Sequence, residues 1–170
     1  FGHVETIEQR IDHLAQLRAL QDETGGFTGF IPLPYQPENN AIPVTHPPTG
    51  NDALRTIAVS RLFLDNFDHL TAYWVGLGMK LAQVALSYGA DDLHGTIVEE
   101  NIFRMAGTGA PQSQPEAALI KAIREAGKTP VQRNTFYEPV REWTDDTPDA
   151  PHSPDDSVPP NLLGDNLATA

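Results

Sequence analysis

Short apolar strand segments alternating with amphipathic helices constrain this chain more than any other feature. The segment Thr6-Ile-Glu-Gln9 fits a capping box, and Ile7, Ile11, Leu14, Leu17 and Leu20 follow at helical spacing until Gly25-Gly26 ends the helix. Residues 27–33 read as a strand running into Pro32, Pro34 and Pro37, which forbid a helix there. A long proline-rich loop over 35–50 leads to a second helix marked by Leu54, Ile57, Ala58 and Leu62. Residues 71–75 form a second strand, ending at Gly76-Leu-Gly78, and Leu81, Val84, Ala85 and Tyr88 predict a short helix. A brief strand over 91–93 precedes a helix over 98–105 closed by Gly107. Ser113-Gln-Pro-Glu116 reads as a second capping box, opening a helix with Leu119, Ile120 and Ile123 inward. Gly127 stops it, and 130–133 is expected as a last, peripheral strand. Strands separated by helices pair in parallel through crossovers. A complete β/α barrel takes about 250 residues. The predicted fold class is therefore α/β, about half of a TIM-like β/α barrel. The abrupt start at Phe1-Gly-His-Val4 reads as a strand end and agrees with that expectation.

Composition separates this body from a tail. Residues 142–170 hold seven acids, five prolines and no Lys or Arg, so they cannot bury enough apolar surface to offset the entropy of ordering. The expected organisation is a half-barrel over 1–141 and a disordered acidic tail over 142–170. The body carries 16 acids against 11 bases, a net charge of −5 rather than the −12 of the whole chain. Neither part has the basic footprint that nucleic acid or an anionic membrane surface requires. There is no cysteine, which rules out disulfides and thiolate metal ligation within the chain. No apolar run approaches the roughly 20 residues of a membrane span. A cytoplasmic location is the expectation.

In a barrel the loops after the strands form the functional rim. The first such loop carries His3 and Glu5, with Thr6 explained by its capping role and Glu5 also suited to a helix start. The second presents Gln36, Glu38, Asn39 and Asn40 between prolines, either as a hydrogen-bonding set or as a solvated surface loop. In the third, the glycines after Trp74 let a ligand approach the backbone, and Lys80 adds charge to the next helix start. The fourth, over 88–101, is the densest in polar groups. Adjacent strand residues point to opposite faces, so one of Asp91 and Asp92 should face the barrel axis and the other the helix layer. Glu99 and Glu100 are accounted for by the helix dipole. The turn at Gly95 and Thr96 is the functional candidate. No H-E-x-x-H, G-x-S-x-G, P-loop or G-x-G-x-x-G pattern occurs.

Several motifs in fixed order resemble one enzyme family. These are Gly2-His-Val-Glu-Thr6, Leu20-Gln-Asp-Glu-Thr-Gly-Gly-Phe27, Phe30-Ile-Pro-Leu33 with Pro37-Glu-Asn39, Thr56-Ile-Ala-Val-Ser-Arg-Leu62, and Gly89-Ala-Asp-Asp-Leu-His-Gly-Thr96 with Glu99-Glu-Asn101. Over residues 1–137 the chain resembles the C-terminal half of aminofutalosine synthase, a radical S-adenosylmethionine enzyme of the futalosine route to menaquinone. It departs from that pattern at His94, where an acid is usual.

The resemblance implies a radical-SAM-type barrel. In it a [4Fe-4S] cluster cleaves S-adenosylmethionine, and the resulting radical adds to 3-[(1-carboxyvinyl)oxy]benzoate. The cluster cysteines belong to a C-x-x-x-C-x-x-C loop absent from this chain. The implied partners are the small-molecule substrate, the N-terminal barrel half and a reductant protein for the cluster. His3, Glu5, Glu38, Asn39, Trp74, Lys80, Asp91, Asp92, Gly95 and Thr96 are the candidate substrate-binding residues. Two sister enzymes, cyclic dehypoxanthinyl futalosine synthase and the deazaflavin-forming FO synthase, share the outline. A non-catalytic half-barrel that binds a partner or a small molecule is the alternative from another class.

Overall fold

The computed structural model describes residues 1–97, 100–109, 111 and 113–144. Its helices are α1 (Ile7–Thr24), α2 (Gly50–Phe63), α3 (Trp74–Leu77), α4 (Met79–Ala85), α5 (Ile102–Met105) and α6 (Glu116–Glu125), and an antiparallel pair, β1 (Val131–Arg133) and β2 (Pro139–Glu142), follows.

The predicted parallel strands are present as short contacts rather than long ladders. Parallel bridges join Phe30 to Leu70 and Thr71 to Asp92. The bonds are Phe30 N–H to the His69 carbonyl (2.9 Å), Thr71 N–H to the Phe30 carbonyl (2.9 Å) and Ala72 N–H to the Asp92 carbonyl (2.8 Å). On the other side of this row, Tyr35 N–H donates to the Phe1 carbonyl (2.8 Å) and the Phe1 amino group to Leu33 (2.8 Å). Segments at 1, 30–35, 69–73 and 90–93 thus lie side by side in sequence order, with α1, α2 and α4 between successive ones. The strands expected over 27–33 and 71–75 are shorter than read. Pro32 and Pro34 offer no N–H to a ladder, and Trp74 already belongs to the helical turn α3.

Helix boundaries follow local chemistry. The Thr6 hydroxyl accepts from Gln9 N–H, the Gln9 side chain accepts from Thr6 N–H, and Gly25 closes α1 at φ 57°. An unpredicted second box starts α2, where Thr49 and Asp52 bond each other's backbone amides. The box expected at Ser113 does not form, and α6 starts after Pro115 without a side-chain cap. Gln114 precedes proline and is thereby driven away from helical geometry. The helix expected over 98–105 is limited to α5 among the described residues, Val98 and Glu99 lying outside them.

The buried faces also correct two apolar stripes. In α2, Ala53, Thr56, Ile57 and Ser60 turn inward at spacings of three and four, while Leu62, five residues beyond Ile57, is 83% exposed. In α1, Leu14 is buried and Ile7 is 70% exposed. The main core gathers Ile57, Ala72, Trp74, Ala82, Ala85, Leu93 and Leu119, with Ile123 packed against it. A smaller one joins Leu14, Leu64 and Phe67, and Phe27 stacks on Phe67 at 5.2 Å.

The last predicted strand is found as β1, paired with a β2 that composition did not reveal. Glu142 ends β2 and Trp143 is buried, its N–H bonded to the Pro130 carbonyl (3.0 Å), so these residues pack with the body rather than opening the tail. Residues 145–170 lie outside the described ones. Among the described residues, no helix is long and apolar enough to cross a membrane.

Candidate functional site

Loops that follow the parallel segments converge on a cleft of about 370 Å³ whose walls include Phe1, His3, Gln36, Asn39, Phe103 and Met105. His3 stands edge-on to Tyr35 at 5.3 Å, and its Nδ1 accepts from Val4 N–H (2.6 Å). Asn39 adopts φ 56° and donates from Nδ2 to the Met105 carbonyl (3.1 Å), tying its loop to α5. Asparagine tolerates this left-handed geometry better than most residues. Gln36 reaches the Gly76 carbonyl (3.3 Å). Glu38 is exposed and packs against Gly107, where a Cβ would lie 2.5 Å from its side chain. The cleft is rich in aromatic and apolar surface and edged by amides, a lining that suits a largely apolar ligand fixed by a few hydrogen bonds.

Behind this wall lies a contact that the sequence reading did not identify. The Tyr73 hydroxyl donates to Glu100 Oε2 (2.7 Å), while Glu100 Oε1 accepts from the Ile102 (2.7 Å) and Phe103 (3.0 Å) amides. Burial first, then the Glu100 carboxylate, pushes the Tyr73 phenol above its ordinary range. The Tyr73 donor, ahead of the two amides, holds the Glu100 carboxyl below its own, against an opposing effect of burial. His94, at φ 77°, is edge-on to the Tyr73 ring at 5.2 Å. The sequence assigned Glu100 to helix electrostatics, and its carboxylate does cap the first amides of α5. A strand-end tyrosine as its partner, 27 residues away, left no sequence signal.

Asp91 and Asp92 part as strand alternation requires. Asp91 faces the helix layer, where Arg61 of α2 (2.7 Å), His69 Nδ1 (2.7 Å) and Leu70 N–H (2.6 Å) surround it. Asp92 turns the other way, accepting from the Thr71 hydroxyl (2.7 Å) and from Arg133 Nε and Nη2 (2.9 Å each). Burial opposes ionisation of Asp92, yet Arg133 and Thr71 outweigh it and hold the carboxyl below the usual carboxylate range. Both acids are therefore internally paired. Asp92, Gly95 and Thr96 do share a second cleft of about 480 Å³, closed by Arg133, Trp143 and the apolar face of α6.

Of the remaining candidates, Glu5 and Trp74 are held within the scaffold. Glu5 lies under the first loop, where burial raises its pKa but the Gly2 amide, the Arg10 guanidinium (2.7 Å) and the His3 amide (3.1 Å) together lower it to about 2. Trp74 is fully buried and donates from Nε1 to the Gly95 carbonyl (2.8 Å), so it braces the 94–97 turn instead of lining a cleft. Lys80 is exposed on α4 and lines none of these clefts. Of the ten candidates, only His3 and Asn39 meet in the first cleft. Among the described residues, no group of three or more His, Cys, Asp or Glu side chains could hold a metal ion.

An α/β chain with this row of parallel segments falls within a known group. The family model described as the CofH/MqnC C-terminal region matches residues 24–147, and the chain belongs to that family. It is 48% identical over 147 residues to aminodeoxyfutalosine synthase of Thermus thermophilus, an alignment covering 84% of this chain and 40% of the relative. It is 44% identical over 165 residues to aminodeoxyfutalosine synthase of Streptomyces coelicolor, covering 91% of the chain and 43% of the relative. Cyclic dehypoxanthine futalosine synthase of the same Streptomyces is 44% identical over 137 residues, covering 81% and 34%. The chain thus spans about two fifths of the length of the first two relatives.

Proposed function

We infer that the chain forms the substrate-enclosing half of a radical S-adenosylmethionine barrel enzyme. Its reaction is the synthesis of aminofutalosine from 3-[(1-carboxyvinyl)oxy]benzoate in the menaquinone pathway. The observation that carries this reading is the similarity to two aminodeoxyfutalosine synthases across most of the chain. The side-by-side parallel segments support the half-barrel architecture, and the cleft between His3, Asn39 and α5 sits on the loops that follow them.

The residues of this chain do not fit a [4Fe-4S] cluster, which takes cysteine thiolates, because no cysteine is present. Cluster and S-adenosylmethionine chemistry is therefore assigned to a further part of the enzyme, with a reductant protein as its partner. The role left to these loops is enclosure. A radical intermediate must be kept from water and stray hydrogen donors, and Phe1, Phe103 and Met105 would supply one apolar wall of such an enclosure, the rest of the barrel closing over the cleft.

The test uses the complete gene product that carries this sequence, reconstituted with iron and sulfide under anaerobic conditions. It is given reductant, S-adenosylmethionine and the enolpyruvyl benzoate, and products are read by mass spectrometry. Aminofutalosine is the expected product. Turnover of dehypoxanthine futalosine instead would favour the sister activity, to which the cyclic dehypoxanthine futalosine synthase similarity also points. Transfer of the 4-hydroxyphenyl group of tyrosine to 5-amino-6-(D-ribitylamino)uracil would favour the deazaflavin-pathway sister.

A further inference from the structure

We propose that Tyr73 and Glu100 are positioning residues that hold α5 as a fixed wall of the cleft beside Asn39. This rests on reading that cleft as a substrate surface. Helix α5 has four residues, too few to be stable alone, so its place depends on what grips it. Three contacts do so. At its start, Glu100 binds the Ile102 and Phe103 amides and is itself held by the Tyr73 hydroxyl. At its end, Asn39 binds the Met105 carbonyl. Between them Phe103 lies edge-on to Tyr73 at 5.4 Å and presses on Gly76, where an added Cβ would stand 2.8 Å from the ring.

Tyr73 is buried and does not line the cleft, whereas Phe103 and Met105 do. Tyr73 therefore acts on a ligand through Glu100 and Phe103. Its ring belongs to the main buried core with Ala72 and Trp74, so the wall is anchored to that core. Ile102 and Met105, which line the cleft together with Phe103, remain 78% and 73% exposed.

Tyr73→Phe in the complete gene product keeps the ring and removes the hydroxyl. Hydrogen exchange of the 102–106 amides should accelerate roughly tenfold, as expected for losing a hydrogen bond to a charged group. The KM for the enolpyruvyl benzoate should rise roughly fivefold to tenfold with kcat within about twofold. Glu100→Gln, which keeps an acceptor for the two amides, should restore most of the protection that Glu100→Ala loses. Unchanged exchange in Tyr73→Phe would overturn the proposal whatever the activity. A fall in kcat at constant KM would also overturn it by placing Tyr73 in the chemistry. A wild-type protein that makes no aminofutalosine would defeat the functional reading alone, because the exchange measurement still decides what anchors α5.

Discussion

Asp92 and Arg133, 41 residues apart in sequence, meet through two parallel bonds of 2.9 Å, and this pair fastens the β1–β2 hairpin to the parallel segments. The guanidinium also lies over the Tyr137 ring at 3.8 Å, and that ring stacks on His69 at 3.9 Å. Since His69 bonds Asp91, the two adjacent acids grip the same hairpin from opposite faces of one strand end. Replacing Arg133 with Met leaves a largely buried carboxylate facing Thr71 alone. Denaturant unfolding at neutral pH should show a loss of about 2–3 kcal/mol. Arg133→Lys should recover less than half of it, because an ammonium cannot reproduce the fork. A variant as stable as wild type would show that the pair contributes nothing net.

Acid should weaken the fold through carboxylates whose folded pKa is depressed. Glu5, at about 2 in the folded chain against 4.5 ordinarily, contributes stability that is fully present above about 4.5 and lost as pH falls toward 2. Asp92 acts in the same direction. Glu5→Gln should therefore be less stable at pH 7 and show a shallower decline between pH 5 and 2, read from urea midpoints. Equal slopes for the two proteins would remove Glu5 from the account.

Trp74 braces the 94–97 turn from inside the core. Trp74→Phe loses the bond to the Gly95 carbonyl and part of the packing, and should cost about 1–3 kcal/mol. Exchange protection near Gly95 should fall with it. A loss confined to global stability, with no local change at 95–97, would contradict the bracing role.

Gly76→Ala tests the cleft wall from the other side. The new methyl group meets the Phe103 ring edge, which can swing aside, so stability should fall by less than about 1.5 kcal/mol. The displaced ring should nevertheless raise the KM of the complete enzyme several-fold. An unchanged KM would mean that Phe103 is not part of the working surface.

Features set by neighbours in sequence were legible, and features set by distant partners were not. The Thr6 box, the Gly25 cap and the split of Asp91 from Asp92 follow from local spacing and strand alternation. The Ser113 box failed on a local effect as well, since Gln114 stands before Pro115. Leu62 misled because Ser60, fully buried, holds the inward position that an apolar residue was expected to fill. Arg133 and Tyr73 gained their roles only when the fold brought them to Asp92 and Glu100, 41 and 27 residues away. Trp74 read as a ligand platform because its aromatic surface was visible in sequence and its indole partner was not.

The most direct test of the central claim is the product formed by the complete, reconstituted gene product from S-adenosylmethionine and 3-[(1-carboxyvinyl)oxy]benzoate. The account predicts aminofutalosine, formed with a raised KM in the Tyr73→Phe variant. No aminofutalosine, with turnover of a sister substrate in its place, would contradict it.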